Sequence, residues 1–184
     1  MKEENPIIFD KNVIEFVAVA VETCGFLEDA DNLSREKFVD KILKLLPLLY
    51  LKASLLPSCF LQGDGYLEEC VTEELYSIIR MKVASVLAEK DDYLEVFNPD
   101  IQYSDTPMKK CISEDLADIY QDIKNFIFVF QLGLNETMND ALVKCQENFA
   151  LFWGQRLVNT LRALHDVKYN TTNPEELDLG EWDY

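Results

Sequence analysis

Residues 113–132 read SEDLADIYQDIKNFIFVFQL, and this stretch decides the fold class. It is a helical segment with an apolar stripe, and Asp115, Asp118, Asp122 and Asn125 fall along one side of that stripe. Residues three and four apart share a helix face, so these side chains form a row. A second helical stretch runs from about Glu136 to Val167. It places Arg156 and Thr160 inside its own apolar stripe, among Phe149, Trp153, Leu157 and Leu164. A guanidinium on a core-facing stripe requires a carboxylate partner, because an unpaired buried charge is costly. The acidic row one helix earlier can supply it. The pairing either fixes how the last two helices dock or forms the polar floor of a binding site.

The rest of the chain supports a helical protein. Its 184 residues suit one domain with a sizeable core, and Gly and Pro number only six each, which disfavours a turn-rich sandwich or barrel. Asp10 is expected to cap a first helix in which Val13, Val17, Ala20, Cys24 and Leu27 recur at helical spacing. Ser34 caps the next. From Arg35 to Leu56 apolar residues occur on every side, so this element is expected at the centre of the core, with a kink or restart at Pro47. Thr72 caps a third helix to about Lys90. Tyr93, Leu94, Val96 and Phe97 suit a short extended piece, and Asn98 to Pro107 reads as loop. Ser113 is the expected cap of the acidic helix, Gly133 its stop, and Asn135 the cap of the final helix. The expected fold is therefore all-α: a single-domain irregular bundle of about five or six helices around Leu43–Leu56. A long irregular loop precedes the last two helices. Residues 1–9 are an N-terminal extension, 10–167 the helical domain and 168–184 an acidic tail with Trp182 and Tyr184 near its tip.

Acidic residues outnumber basic ones 34 to 17, for a net charge of −17. Such a surface repels nucleic-acid phosphate and an anionic bilayer face, so neither is an expected partner. It serves solubility, and it also suits a basic protein partner, cation binding, mimicry of nucleic-acid charge or neutralisation of a basic toxin. The opening MKEENPIIFDK lacks the apolar core of a secretory signal, and the apolar run Ile42–Leu61 is interrupted by Lys44, Pro47, Lys52 and Pro57. Five widely spaced cysteines without a CxxC pair speak against zinc or a redox dithiol and suit a reducing cytoplasm.

Catalytic chemistry finds little footing. A di-metal carboxylate bundle needs Glu-x-x-His motifs, and the one histidine, His165, has Arg162 three residues before it. His165-Asp166 lacks the further histidines an HD phosphohydrolase requires, and His165 falls on the helix side opposite Arg156. No phosphate-binding or dinucleotide-binding glycine motif occurs. An all-oxygen magnesium or calcium site from Asp115, Asp118 and Asp122 is a weaker option. The ligand-site candidates are Arg156, Asp118, Asp122, Asn159 and Tyr120, with Arg156 either a structural partner of the aspartates or a clamp for a small anion.

The blocks EFVAVAVETCGFLE, ILKLLPLLYLKASLLP, ISEDLADIYQDIKNF and NFALFWGQRLVNTLRALH resemble domain-of-unknown-function family 5063, an uncharacterised bacterial group, from about Val13 to His165. The resemblance implies a small, cytoplasmic, mainly helical protein, and it supplies no catalytic residues and no cofactor. The reading that results is a non-enzymatic binding or protein-interaction module with an acidic surface, facing a basic partner or a second copy. The alternative is an enzyme or sensor that binds a small anion or divalent cation at the junction of the last two helices.

Overall fold

A computed structural model of the chain describes residues 6–95 and 108–170. The expected loop 98–107, Val96 and Phe97, and the aromatic tip of the tail lie outside them. The order is a 3₁₀ turn at Ile7–Phe9, α1 (Lys11–Glu28), α2 (Arg35–Ser54), α3 (Glu73–Leu87), β1 (Asp92–Leu94), β2 (Lys109–Cys111), α4 (Ile112–Gln131), α5 (Asn135–Asn148) and α6 (Gly154–Tyr169). A π-helical turn, Phe149–Trp153, joins α5 to α6 without a break. The architecture is the all-α bundle, and β1 and β2 add one small antiparallel hairpin.

The local capping signals act as expected for the first three helices. The Asn12 amide donates to the Asp10 carboxylate at 2.8 Å, that of Lys37 to Ser34 Oγ at 3.4 Å and that of Leu75 to Thr72 Oγ1 at 3.2 Å. Each satisfies a first-turn donor that has no partner within its own helix. Gly133, at φ +75°, terminates α4 in the left-handed conformation that glycine adopts without penalty.

Three expectations are corrected. Helix α2 is not the centre: it runs unbroken through Pro47, and Leu48, Leu51 and Leu55 leave it toward solvent. The centre is α4, which packs against α1, α3, α5 and α6 and buries Leu116, Ile119, Tyr120, Ile123 and Phe126. Second, Ser113 does not cap α4. That helix starts at Ile112, and its free amides are met by a residue 22 positions away: the Ser113 amide and hydroxyl donate to the Asp91 carboxylate at 2.7 and 2.6 Å. Likewise Leu134, not Asn135, occupies the position before α5, with no side-chain cap. Third, Ile7–Phe9, read as part of an N-terminal extension, form a 3₁₀ turn whose Ile8 is buried in the core.

The aromatic heart of the bundle joins α1, α4 and the π turn. Phe16 lies 5.4 Å from Phe126 and 6.5 Å from Trp153, ring centre to ring centre, and Phe149 lies 4.6 Å from Trp153. Burying Phe16, Phe126 and Trp153 contributes roughly 1.5–3 kcal/mol each, so this cluster anchors the turn that leads into α6 and Arg156.

Candidate functional site: an acidic cleft over α4

The π turn sets the register of α6. The Gly154 amide donates to the Phe149 carbonyl, five residues back instead of four. One extra residue in a turn rotates everything after it relative to α5. Trp153 then points into the core while Arg156 and Thr160 meet α4. Glycine is required at the end of the turn, since a Cβ there would stand 2.5 Å from the Phe149 carbonyl oxygen and 2.9 Å from its ring.

Arg156 Nη1 donates to Asp118 Oδ2 and lies 3.6 Å from Asp115 Oδ1. The expected pairing between the two helices is thus present. The guanidinium is not sealed in the core, however: the Arg156 side chain is 40% exposed, against 5% for Asp115. Two tyrosines from distant parts of the chain complete the arrangement, and no local spacing points to either. Tyr76 on α3 donates to Asp118 Oδ1 at 3.0 Å, and Tyr93 on β1 donates a short bond to Asp115 Oδ2, which also accepts from Thr160 at 3.3 Å. Burial raises the Asp115 carboxyl above the usual carboxylate range, and the Tyr93 bond and the nearby Arg156 charge only partly offset this. Burial likewise raises the hydroxyls of Tyr76 and Tyr93, so both stay protonated donors.

Asp118 and Arg156 form one end of a cleft of about 520 Å³ between α4, the α5–α6 junction and the irregular segment before α3. This volume lies within the range of small-molecule sites. Asp122 stands inside it. Its Oδ1 accepts from the side-chain amide of Asn148 at 2.5 Å, and burial, reinforced by the neighbouring Asp118 charge, raises its carboxyl, although the Asn148 bond and the Lys144 and Arg156 charges pull the other way. Glu68 and Glu69 add two more carboxylates, and Lys144 is the second cation of the lining beside Arg156. Phe152 and Tyr66, both exposed, line it as well.

The wall formed by residues 57–71 has no regular structure, yet it is tied down along its length. The amides of Gln62 and Gly63 donate to the two oxygens of Asp140 at 2.7 and 2.9 Å. Burial opposes ionisation of Asp140, but these amides outweigh it and hold its carboxyl below the ordinary range. Asn139 donates to the Phe60 carbonyl, Gln146 to that of Pro57, and Asn125 Oδ1 accepts from the amides of Cys70 and Val71. Asn125, expected in the acidic row, is therefore a fastener of this wall.

Two candidates fall elsewhere. Tyr120 is fully buried on another side of α4, where its hydroxyl donates to Glu28 at 2.8 Å. Asn159 accepts from Gln155 at 3.0 Å and lines a second cleft with Tyr93, Arg162 and His165. Neither meets Asp122. Of the three aspartates proposed as metal ligands, Asp115 and Asp118 share Arg156 and Asp122 accepts from Asn148, and among the described residues no group of three or more His, Cys, Asp or Glu is placed to hold a metal ion. His165 is exposed, as expected. All five cysteines are free, and no helix among the described residues is long and apolar enough to cross a membrane.

Comparison with known proteins agrees with this architecture. The crystal structure of protein BF1032 from Bacteroides fragilis superposes with a TM-score of 0.81 at 64% sequence identity, covering 91% of this chain and 98% of that one. No curated protein matches. The family model described as "Domain of unknown function (DUF5063)" matches residues 7–170, and on that extent the chain belongs to the DUF5063 family.

Proposed function

We propose that this protein is a non-catalytic binding module whose cleft over α4 receives a basic group, a lysine or arginine side chain presented by a protein partner. One observation carries the reading: Glu68, Glu69, Asp118 and Asp122 face two cations in the cleft, and one of those, Arg156, is already engaged by two aspartates. Asp122 has only a neutral amide as its direct partner. A cation entering the cleft would relieve the repulsion between Asp122 and Asp118 and replace the solvation that burial has removed from Asp122. The exposed rings of Tyr66 and Phe152 suit the aliphatic stem of such a side chain. The overall charge of −17 would speed the approach of a basic partner at low salt. Five free thiols suit a cytoplasmic setting.

The anion and divalent-metal readings draw less support. An anion would have to displace Asp118 and Asp115 from Arg156, and the aspartates do not converge. A homodimer keeps one supporting feature, the exposed Leu48, Leu51 and Leu55 on the outer side of α2.

The test is calorimetric titration with a lysine-rich and a glutamate-rich peptide of equal length. The lysine peptide should bind, more weakly as salt rises, and Asp122→Asn should weaken it about ten-fold, the scale of one charge-assisted bond. Equal binding of both peptides, or an unchanged affinity in Asp122→Asn, would remove the reading.

A further inference from the structure

Arg156 stands between two carboxylates that belong to different neighbourhoods. Asp118, whose other oxygen is held by Tyr76, is part of the cleft wall. Asp115 lies on the next turn of α4 toward its N-terminus, buried beneath the β1–β2 hairpin. Strand β1 alternates exposed, half-buried, exposed, so Tyr93 is its one inward side chain, and its hydroxyl ends on Asp115. The guanidinium is bonded to Asp118 but lies 3.6 Å from Asp115, a charge contact without a hydrogen bond. Both carboxylates thus lie within reach of one guanidinium.

We infer that Arg156 is a two-way positioning residue: a cation arriving in the cleft takes over Asp118, releases Arg156 toward Asp115, and so tightens the Tyr93 hold on the hairpin. This rests on the cleft being a site for basic groups. The direction follows from the acceptor. Asp115 Oδ1 faces Arg156 while Oδ2 accepts from Tyr93 and Thr160, so a guanidinium bonded to Oδ1 fixes the carboxylate in the orientation that presents Oδ2 to the Tyr93 hydroxyl. Coupling of this kind is reciprocal, so a hairpin released from Asp115 should in turn weaken cation binding in the cleft.

Two variants that an ordinary loss of packing would affect alike should here move the hairpin in opposite directions. Arg156→Met leaves Asp115 without its cation, and the hairpin should loosen. Asp118→Asn frees Arg156 for Asp115 while still accepting from Tyr76, and the hairpin should tighten. The readout is hydrogen exchange of the Glu95 amide, which donates to the Met108 carbonyl at 2.9 Å across the mouth of the hairpin. Exchange should be about five-fold faster in Arg156→Met and slower than wild type in Asp118→Asn, the scale of one hydrogen bond. Arg156→Gln and Asp118→Ala repeat the pair with different side chains. In wild type, a saturating lysine-rich peptide should slow the same amide, as Asp118→Asn does. Opposite signs in the two variants support the mechanism even if the peptide does not bind, in which case only the identity of the ligand is wrong. Faster exchange in both variants, or no change in either, overturns it.

Discussion

Replacing Arg156 by Met removes a charge that serves two carboxylates of unequal burial, and the structure allows the cost to be worked out. The pair with Asp118 is partly solvated, with side chains 40% and 27% exposed, and such pairs contribute about 0.2–1 kcal/mol. Asp115 matters more. Its side chain is 5% exposed and 3.6 Å from the guanidinium, a distance at which opposite charges attract by roughly 4 kcal/mol for an effective dielectric near 20. Most of that is not lost, because Asp115 keeps the Tyr93 and Thr160 hydroxyls and can take up a proton. Methionine fills the apolar part of the vacated space. The expected loss is about 2 kcal/mol at pH 7.5, below the ~3–5 kcal/mol of breaking a fully buried pair. In a domain of this size it lowers Tm by about 4–8 °C.

The pH dependence has a definite sign. The Asp115 carboxyl is raised in the folded protein, so the folded state binds the proton more tightly than the unfolded one. The penalty of its charged form is complete above the folded pKa and fades as pH falls toward the unfolded value, about 4. Removing Arg156 raises the folded value further. Urea unfolding followed by circular dichroism should therefore show a loss that shrinks as pH is lowered from 7.5 toward that unfolded value, with unchanged m-values. A loss below about 0.5 kcal/mol, or one that grows on acidification, would refute the argument that Asp115 is the costly partner.

Other variants test the scaffold. Gly154→Ala forces a Cβ against the Phe149 carbonyl and ring, and should destabilise by about 1–3 kcal/mol in the same unfolding assay, as overpacking does. Asp91→Ala strips α4 of the carboxylate that meets the Ser113 amide, and should cost about 1–2 kcal/mol, with faster exchange confined to the first turn of α4. Asp122→Asn should leave stability nearly unchanged while lowering affinity for a lysine-rich peptide, which separates binding from folding in one protein.

The parts of this fold that were legible in the sequence are those governed by neighbours in the chain. Asp10, Ser34 and Thr72 each meet an amide two or three residues on, so composition and spacing reveal them. The Arg156–Asp118 pairing was legible as well, because a guanidinium among Trp153, Leu157 and Leu164 is an anomaly that the chain itself displays. What escaped depends on distant partners. Asp91 caps a helix 22 residues away, Tyr93 and Tyr76 reach α4 from other elements, and Asp140 fastens amides 77 and 78 residues earlier. Helical spacing placed Tyr120 near the acidic row, but only the packing of α1 shows that its hydroxyl turns to Glu28. Helix α2 looked central because its outward leucines are as apolar as its inward ones. The π turn has no sequence signature beyond one glycine in a long helix, yet it sets where Arg156 points.

The most direct test of the cleft follows the side-chain amide of Asn148 by NMR during titration with a lysine-rich peptide, because that group donates to Asp122 from within the proposed site. The Asn148 amide resonances should shift saturably while the Tyr120–Glu28 contact on another side of α4 is undisturbed. Saturable shifts elsewhere with Asn148 unmoved, or no shifts at any peptide concentration, would contradict the proposed site.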